Sequence, residues 1–312
     1  MPRAQGKRWD VLGLGAVSVD DLVYVDQYPQ PGTKMPVQER RREGGGLTGT
    51  ALVAAARLGV RSAYYGILGE DELSRFTLLE LEREGVDCSQ ILYRAEARPI
   101  HSTVIVERSG GQRTILYWNA RVVEPEPEEI ADDMIAGCQV LLVDHTMARA
   151  GLQAARLAHA HRVPVVGDVE KEPEPRVLDL MGQIDHLIVS MRFAGRVTGK
   201  REPEDMVRAL SGPERACCVV TDGERGCWYL REHGGGVHHL PALKVQAVDT
   251  TGCGDVFHGA YAACLAQGES VHLALEVATV AAGLKATRAG GRSGIPDRAT
   301  IDRVLAANEE AR

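Results

Sequence analysis

The stretch from Asp249 to Asp255, DTTGCGD, runs straight into VFHGAYAACLAQG and sets a carboxylate beside a cluster of backbone amides. Gly252 and Gly254 flank Cys253, so several N–H groups can face one point with no bulky side chain in the way. Apolar residues at Phe257, Ala260, Tyr261, Cys264 and Leu265 recur with helical spacing, and Gly268 supplies a stop. The glycine turn therefore sits at the N-terminus of a core-packed helix, an end that carries positive partial charge and attracts anions. Asp255 lies just before the apolar stripe and out of its phase. A carboxylate in that place suits a base for phosphoryl transfer. The plainer alternative is an N-cap, for which Asp is a favoured residue.

A site of this kind needs a rigid frame. Short apolar runs at Val11 to Leu14, Ala63 to Leu68, Val140 to Val143, Val163 to Val166, His186 to Val189 and Cys217 to Thr221 read as buried parallel strands. Helical patterns at Ala51 to Leu58, Phe76 to Glu84, Leu152 to His161, Val177 to Met181 and Asp205 to Leu210 fall between them. The alternation predicts an α/β fold with a doubly wound, mainly parallel sheet. Ligands in such sheets gather beyond the strand ends, which here carry Asp20, Asp144, Asp168, Ser190 and Thr221. Leu22 to Glu43 and Ile100 to Asn119 break the pattern, the second reading as a hairpin turning around Gly110 and Gly111. Together they predict a small projecting β-sheet. The body then comprises 8–21, 45–99 and 120–312, and the β-sheet 22–44 and 100–119.

At 312 residues the chain can bury a large core in one or two domains. A net charge of −7, with ERRRE at Glu39 to Glu43 as its densest basic run, argues against nucleic acid or an anionic membrane as partner. The seven cysteines are scattered without CxxC or zinc-type spacing, so a reducing cytoplasm is the expected home. The N-terminus shows neither a signal peptide nor a membrane-spanning run. Gly13 and Gly15 hint at a dinucleotide loop, but the third glycine of GxGxxG is missing and Val17 to Val25 does not read as helix, which disfavours a dehydrogenase.

DTTGCGD followed by FxGA resembles the signature of the ribokinase/PfkB carbohydrate kinases, whose common form has Ala in place of Cys253. The resemblance implies a ribokinase-like fold whose small sheet is a lid over the sugar. Asp255 would take a proton from a substrate hydroxyl while the amides of Gly252, Cys253 and Gly254 hold charge on the transferred phosphoryl group. Sugar contacts would come from Asp20, from Gly45 and Gly46 of the GGG entry, and from Thr50, which stands where relatives often carry Asn. VTDGERG would place Thr221, Gly223 and Gly226 near the nucleotide, with Thr279 and Gly283 on a small-residue helix beside adenine. Relatives carry an NxxE motif that helps organise Mg2+. Ser190 and Phe193 occupy its positions, which leaves Asp168, Glu170 or the ATP phosphates to hold the metal. Asp249 and the carbonyl of Thr251, with the AGGRSG loop from Ala289 to Gly294, match positions that bind a monovalent cation, potassium.

The resemblance implies ATP and Mg2+ as cofactors, a small sugar as substrate, and a homodimer formed through the lid, whose exposed edge favours pairing. Within the family the C-terminal run LKATRAGGRSGIPD is closest to sulfofructose and fructose-type sugar kinases. Thr146 and Tyr117 match the sulfonate-binding positions, and without a guanidinium there a neutral ketose is the expected substrate. Two alternatives remain: a nucleoside kinase using Tyr24, Tyr117 or Trp118 as a base platform, and a silent nucleotide- or sugar-binding regulator. His258, three residues past Asp255, reads as a helix-surface side chain packed near the site.

Overall fold

The first strand, Trp9–Leu14 (β1), is buried along its whole length, as a strand covered on both faces must be. In this computed structural model, which describes residues 6–107, 113–171, 174–231 and 233–310 with the side chains of 309 and 310 excepted, the chain continues through β2 (Ser18–Val25), β3 (Glu39–Gly45), α1 (Leu47–Arg57), β4 (Ser62–Tyr65), β5 (Ile67–Leu68), α2 (Glu72–Arg83), β6 (Leu92–Tyr93), β7 (Ile100–Glu107) and β8 (Arg113–Trp118). Next come α3 (Asp132–Ala136), β9 (Cys138–Asp144), α4 (Ala148–Ala160), β10 (Val165–Asp168), α5 (Pro175–Met181), β11 (His186–Ser190), α6 (Met191–Thr198) and α7 (Pro203–Leu210). The last third holds β12 (Cys217–Thr221), β13 (Cys227–Arg231), β14 (His238–Leu240), α8 (Cys253–Ala266), α9 (Val271–Ala286) and α10 (Arg298–Glu310). Gly110 and Gly111 lie outside the described residues.

Eight strands form the main sheet in the order β14-β13-β12-β11-β10-β9-β1-β4. Pairing is parallel from β4 to β12, and β13 and β14 close the edge antiparallel. Side chains alternate faces with period two. Val11, Val140, Leu142, Ile188 and Val219 pack with α1, α8 and α9 on one face, whereas Leu12, Leu141, Val143, Leu187 and Val220 pack with α4, α5 and α7 on the other. The doubly wound architecture expected from the strand and helix alternation is the one found.

The helices begin earlier than their apolar spacing indicates. α1 starts at Leu47 because Gly46 turns the chain at φ 87, where L side chains are strained, and its first turn of Thr48, Gly49 and Thr50 is buried without being apolar. α2 starts at Glu72 because Asp71 caps it, its side chain accepting from Ser74 N at 2.8 Å.

The smaller sheet runs β3-β2-β7-β8, with β2 parallel to β7 and the outer pairs antiparallel. One face buries Leu22, Tyr24, Val104 and Val106. Arg40, Arg41 and Arg42 are solvated, as the ERRRE run suggested, with Arg42 paired to Asp21 at 2.8 Å. One expectation is corrected here. Asp20 does not end a strand of the main sheet: β1 stops at Leu14, a turn through Gly15 to Val17 intervenes, and Asp20 lies within β2 of the smaller sheet.

Candidate active site

α8 is wedged between α1 and α9, and ten of its residues are buried. A side chain at Gly259 would strike the Ala51 carbonyl at 2.0 Å, so the two helices touch backbone to backbone. Burying Tyr261 and Phe257 stabilises this seat by about 1.5–3 kcal/mol each. The packing fixes the direction in which the helix N-terminus points. Gly252 takes the left-handed conformation, φ 75, and a Cβ there would lie 2.8 Å from the Gly291 carbonyl.

Helical bonding begins with Val256 N–H donating to Gly252 O at 2.9 Å. The Cys253 N–H closes a turn onto Thr250 O at 3.3 Å, and the amides of Gly252, Gly254 and Asp255 have no partner among the described residues. These are the orphan donors of a helix start, free for an anion. Asp255 has no ion-pair partner among the described residues and faces a cavity of about 650 Å³. Burial pushes its carboxyl well above the usual range, reinforced by the negative charge of Asp168 and Glu170 and opposed by His258. Asp168 is raised for the same reasons, burial first and then Glu170 and Asp144.

That first cavity lies between the two sheets. Body residues Gly46, Thr146, Glu170, Thr250, Thr251, Gly252, Gly254 and Asp255 line one side, and Ser18, Asp20, Ser102, Arg113, Ile115 and Tyr117 of the smaller sheet line the other. Asp20 accepts from Ser18 Oγ at 2.8 Å. Burial raises its carboxyl, against hydrogen bonds from Ser18 and Ser102 and the nearby charge of Arg292. Asp144 holds this corner together by accepting from Ala16 N at 2.6 Å, Thr48 Oγ1 at 2.7 Å and Thr146 N at 2.8 Å.

A second cavity of about 810 Å³ opens on the far side of the glycine turn, lined by Thr221, Gly223, Gly226, Leu243, Cys253, Phe257, Thr279 and Gly283. Thr250 and Gly254 line both cavities. The turn that begins α8 is thus the wall between two compartments, and Asp255 is on the side of the first.

Several expected residues sit behind the walls. Thr50 is buried and its Oγ1 accepts weakly from Arg292 Nε at 3.4 Å. Gly45 gives its carbonyl to Arg292 Nη2 at 2.7 Å, and a side chain on it would collide with Asp20. Ser190 caps α6 by accepting from Phe193 N at 3.2 Å, and Phe193 is core, so the two NxxE positions are structural in this chain. The Asp249 carboxylate accepts from Thr251 N at 2.8 Å and Gly290 N at 2.9 Å. No cluster of His, Cys, Asp and Glu able to hold a metal occurs among the described residues. His258 is buried, not on the helix surface. Its ring nitrogens lie 2.8 Å from Gly254 O and 3.0 Å from Ile188 O, with Asp168 Oδ2 at 3.4 Å, so it braces the turn from behind. Of the aromatic residues considered as platforms, Tyr117 faces the first cavity and Tyr24 is buried in the smaller sheet.

A family model for the pfkB family carbohydrate kinases matches residues 11–298. The chain belongs to that family. A ribokinase of Staphylococcus aureus is 26% identical over 299 residues, covering 92% of this chain and 96% of its own. Fructokinase-1 of Oryza sativa is 27% identical over 286 residues, covering 84% and 88%. A crystal structure from Agrobacterium tumefaciens, described provisionally as a ribokinase, superposes with a TM-score of 0.91 at 30% identity over 96% of this chain and 98% of that one. The carbohydrate kinase fold and the resemblance read from DTTGCGD agree.

Sequence reasoning missed three basic residues of this kinase. Arg113 lines the first cavity and donates to Thr250 Oγ1 at 2.6 Å, bringing a guanidinium from the smaller sheet to the glycine turn. Arg292 is buried against Gly45, and burial lowers it to about 10. Lys285 is buried on α9. The last two had a signal, since each is a lone cation in a run of small or apolar residues, ATVAAGLKA and AGGRSG. Arg113 had none, because nothing local tells which end of a hairpin faces a ligand.

Proposed function

We propose that the chain transfers the γ-phosphoryl group of ATP to a hydroxymethyl group of a small neutral sugar, a ketose above all. The reading rests on one observation: two cavities share the Thr250–Gly254 wall, with an unpaired carboxylate on one side of it. Sugar occupies the cavity of Asp20 and Asp255, and nucleotide the cavity of Thr221, Gly223, Thr279 and Gly283. Asp20, with Ser18 and Ser102, accepts hydrogen bonds from sugar hydroxyls, a strong device because the acceptor is charged.

Asp255 takes the proton of the hydroxymethyl group as its oxygen bonds to the γ-phosphorus and the bond to the β-phosphate oxygen breaks, leaving ADP. The free amides of Gly252 and Gly254, the helix N-terminus and the Arg113 guanidinium receive the negative charge of the transferred group. Cys253 N–H contributes after releasing its long bond to Thr250. Glu170, on the cavity wall, and the phosphate oxygens would hold Mg2+, which supplies charge neutralisation when bound. Positioning and charge stabilisation carry most of the rate.

The ketose preference draws on the likeness to a fructokinase and on Thr146 and Tyr117, which offer hydroxyls in place of a guanidinium at their positions on a wall whose cations are Arg113 and Lys171. The smaller sheet, 22–44 with 100–119, acts as the lid. Its outer strand β8 exposes Ile115, Leu116, Tyr117 and Trp118, which supports pairing of two lids into a homodimer. No helix among the described residues is long and apolar enough to cross a membrane, and seven free cysteines suit a reducing cytoplasm.

The test is ATP-dependent ADP release over a panel of ketoses, aldoses, polyols and nucleosides. Ketose-dependent release supports the reading. Release with nucleosides alone moves the assignment to a nucleoside kinase with Tyr117 as platform, and no release with any compound of the panel leaves a binding protein.

A further inference from the structure

α9 is apolar through its last turns except for Lys285, whose side chain is wholly buried. Its Nζ donates to the main-chain carbonyl of Asp249 at 2.9 Å, and no carboxylate lies within 4.0 Å of it among the described residues. A buried ammonium is costly, and burial does lower its affinity for a proton. The charges that offset this cost belong to Asp249 and Glu43, near the start of the glycine turn, while the guanidinium of Arg113 adds to it. The cation thus stands behind the α8 N-terminus, at the segment the family resemblance assigns to a monovalent metal ion.

The oxygens of Asp249 and the adjoining Ala286 carbonyl are not presented to a metal ion. Both carboxylate oxygens of Asp249 accept backbone N–H groups, from Thr251 and Gly290. The Ala286 carbonyl accepts from Val248 N at 2.8 Å and Asp249 N at 3.1 Å, and the Asp249 carbonyl is taken by Lys285. A metal ion needs several oxygen lone pairs turned toward it, and the Asp249 carboxylate, the Asp249 carbonyl and the Ala286 carbonyl each face an N–H donor. A second positive charge would also meet the ammonium in a poorly solvated place.

We propose that Lys285 is a tethered replacement for the monovalent cation. It holds the Asp249–Thr251 segment under the glycine turn and supplies fixed positive charge behind the amides that receive phosphate. The inference rests on the kinase reading for its effect on turnover, and on geometry alone for its effect on cation binding.

The experiment varies potassium against choline at constant ionic strength, for the full chain and for Lys285→Met, and reads turnover, melting temperature and the affinity for a non-hydrolysable ATP analogue with Mg2+. The native protein should give the same three values in both salts. Lys285→Met should lose turnover on the order of 10²-fold, the lower end of what losing an oxyanion-stabilising contact costs, and regain part of it with potassium. Saturable stimulation of the native protein by potassium, or a rise of its melting temperature with potassium, overturns the proposal. If Lys285→Met does not fold, the native protein alone decides. If no acceptor supports turnover in either salt, the kinase reading fails while melting and analogue binding still test the cation site.

Discussion

The two cavities that meet at Gly254 are built from different parts of the chain. The cavity proposed for nucleotide is lined only by the body: the end of β12 and the turn after it, the loop after β14, and facing residues of α8 and α9. The cavity of Asp20 and Asp255 is shared between the body and the smaller sheet, whose three strands β2, β7 and β8 line one side of it. A cavity walled by one rigid unit presents a fixed slot that suits a constant ligand. A cavity completed by a second unit can change its acceptor through the lid without disturbing the phosphate site. The glycine turn belongs to both, through Thr250 and Gly254, so a change confined to the smaller sheet leaves it in place.

The comparison is broken most severely at the shared wall. Asp255→Asn removes the base without changing shape, and turnover should fall by about 10² to 10⁴. Binding of an ATP analogue, read by calorimetry, should stay within error of the native protein, because Asp255 does not line the nucleotide cavity. Turnover near the native rate would remove Asp255 from the mechanism.

Arg113 is the next largest test, because it is the lid's only direct bond to the turn among the described residues and spans the two regions. Arg113→Ala should lower kcat by roughly 10- to 10³-fold, with little change in the KM for ATP. A rise in the sugar KM with kcat intact would instead make Arg113 a sugar contact. The asymmetry between the cavities is sharpened by Gly283, where a Cβ would fall 2.8 Å from the Leu243 Cβ. Gly283→Val should raise the ATP KM on the order of tenfold by overpacking the slot, and leave the sugar KM unchanged.

The body was legible because its strands are continuous apolar runs and its catalytic turn is local in sequence. Asp249 to Asp255 is a single segment, and its helical sequel announces where the amides point. The lid side was less legible. Asp20 was read as a strand end of the main sheet because nothing in VLGLGAVSVDD shows that the chain leaves one sheet for another at Gly15. Thr50 and Gly45 were assigned to ligands by position, and the structure gives their hydrogen-bonding groups to Arg292, while the Ser190 hydroxyl caps α6. Burial of a cation such as Arg292 or Lys285 depends on distant segments closing over it, which no local pattern records.

The smallest effects come from the charges behind the wall. Asp255 acts as a carboxylate, and its folded pKa is raised, so activity is lost as pH falls through a value above the ordinary Asp range. Asp168 raises that value and His258 lowers it. Asp168→Asn removes a negative neighbour, so the acidic limb of kcat/KM against pH should move to lower pH, by about one unit for a close charge. His258→Asn removes the opposing influence and should move the same limb to higher pH. The two variants share one buried cluster and remove influences of opposite direction on Asp255. Opposite displacements therefore report electrostatic control of the base, whereas equal displacements, or lower activity with an unmoved limb, would make the cluster a packing device that holds the turn in place.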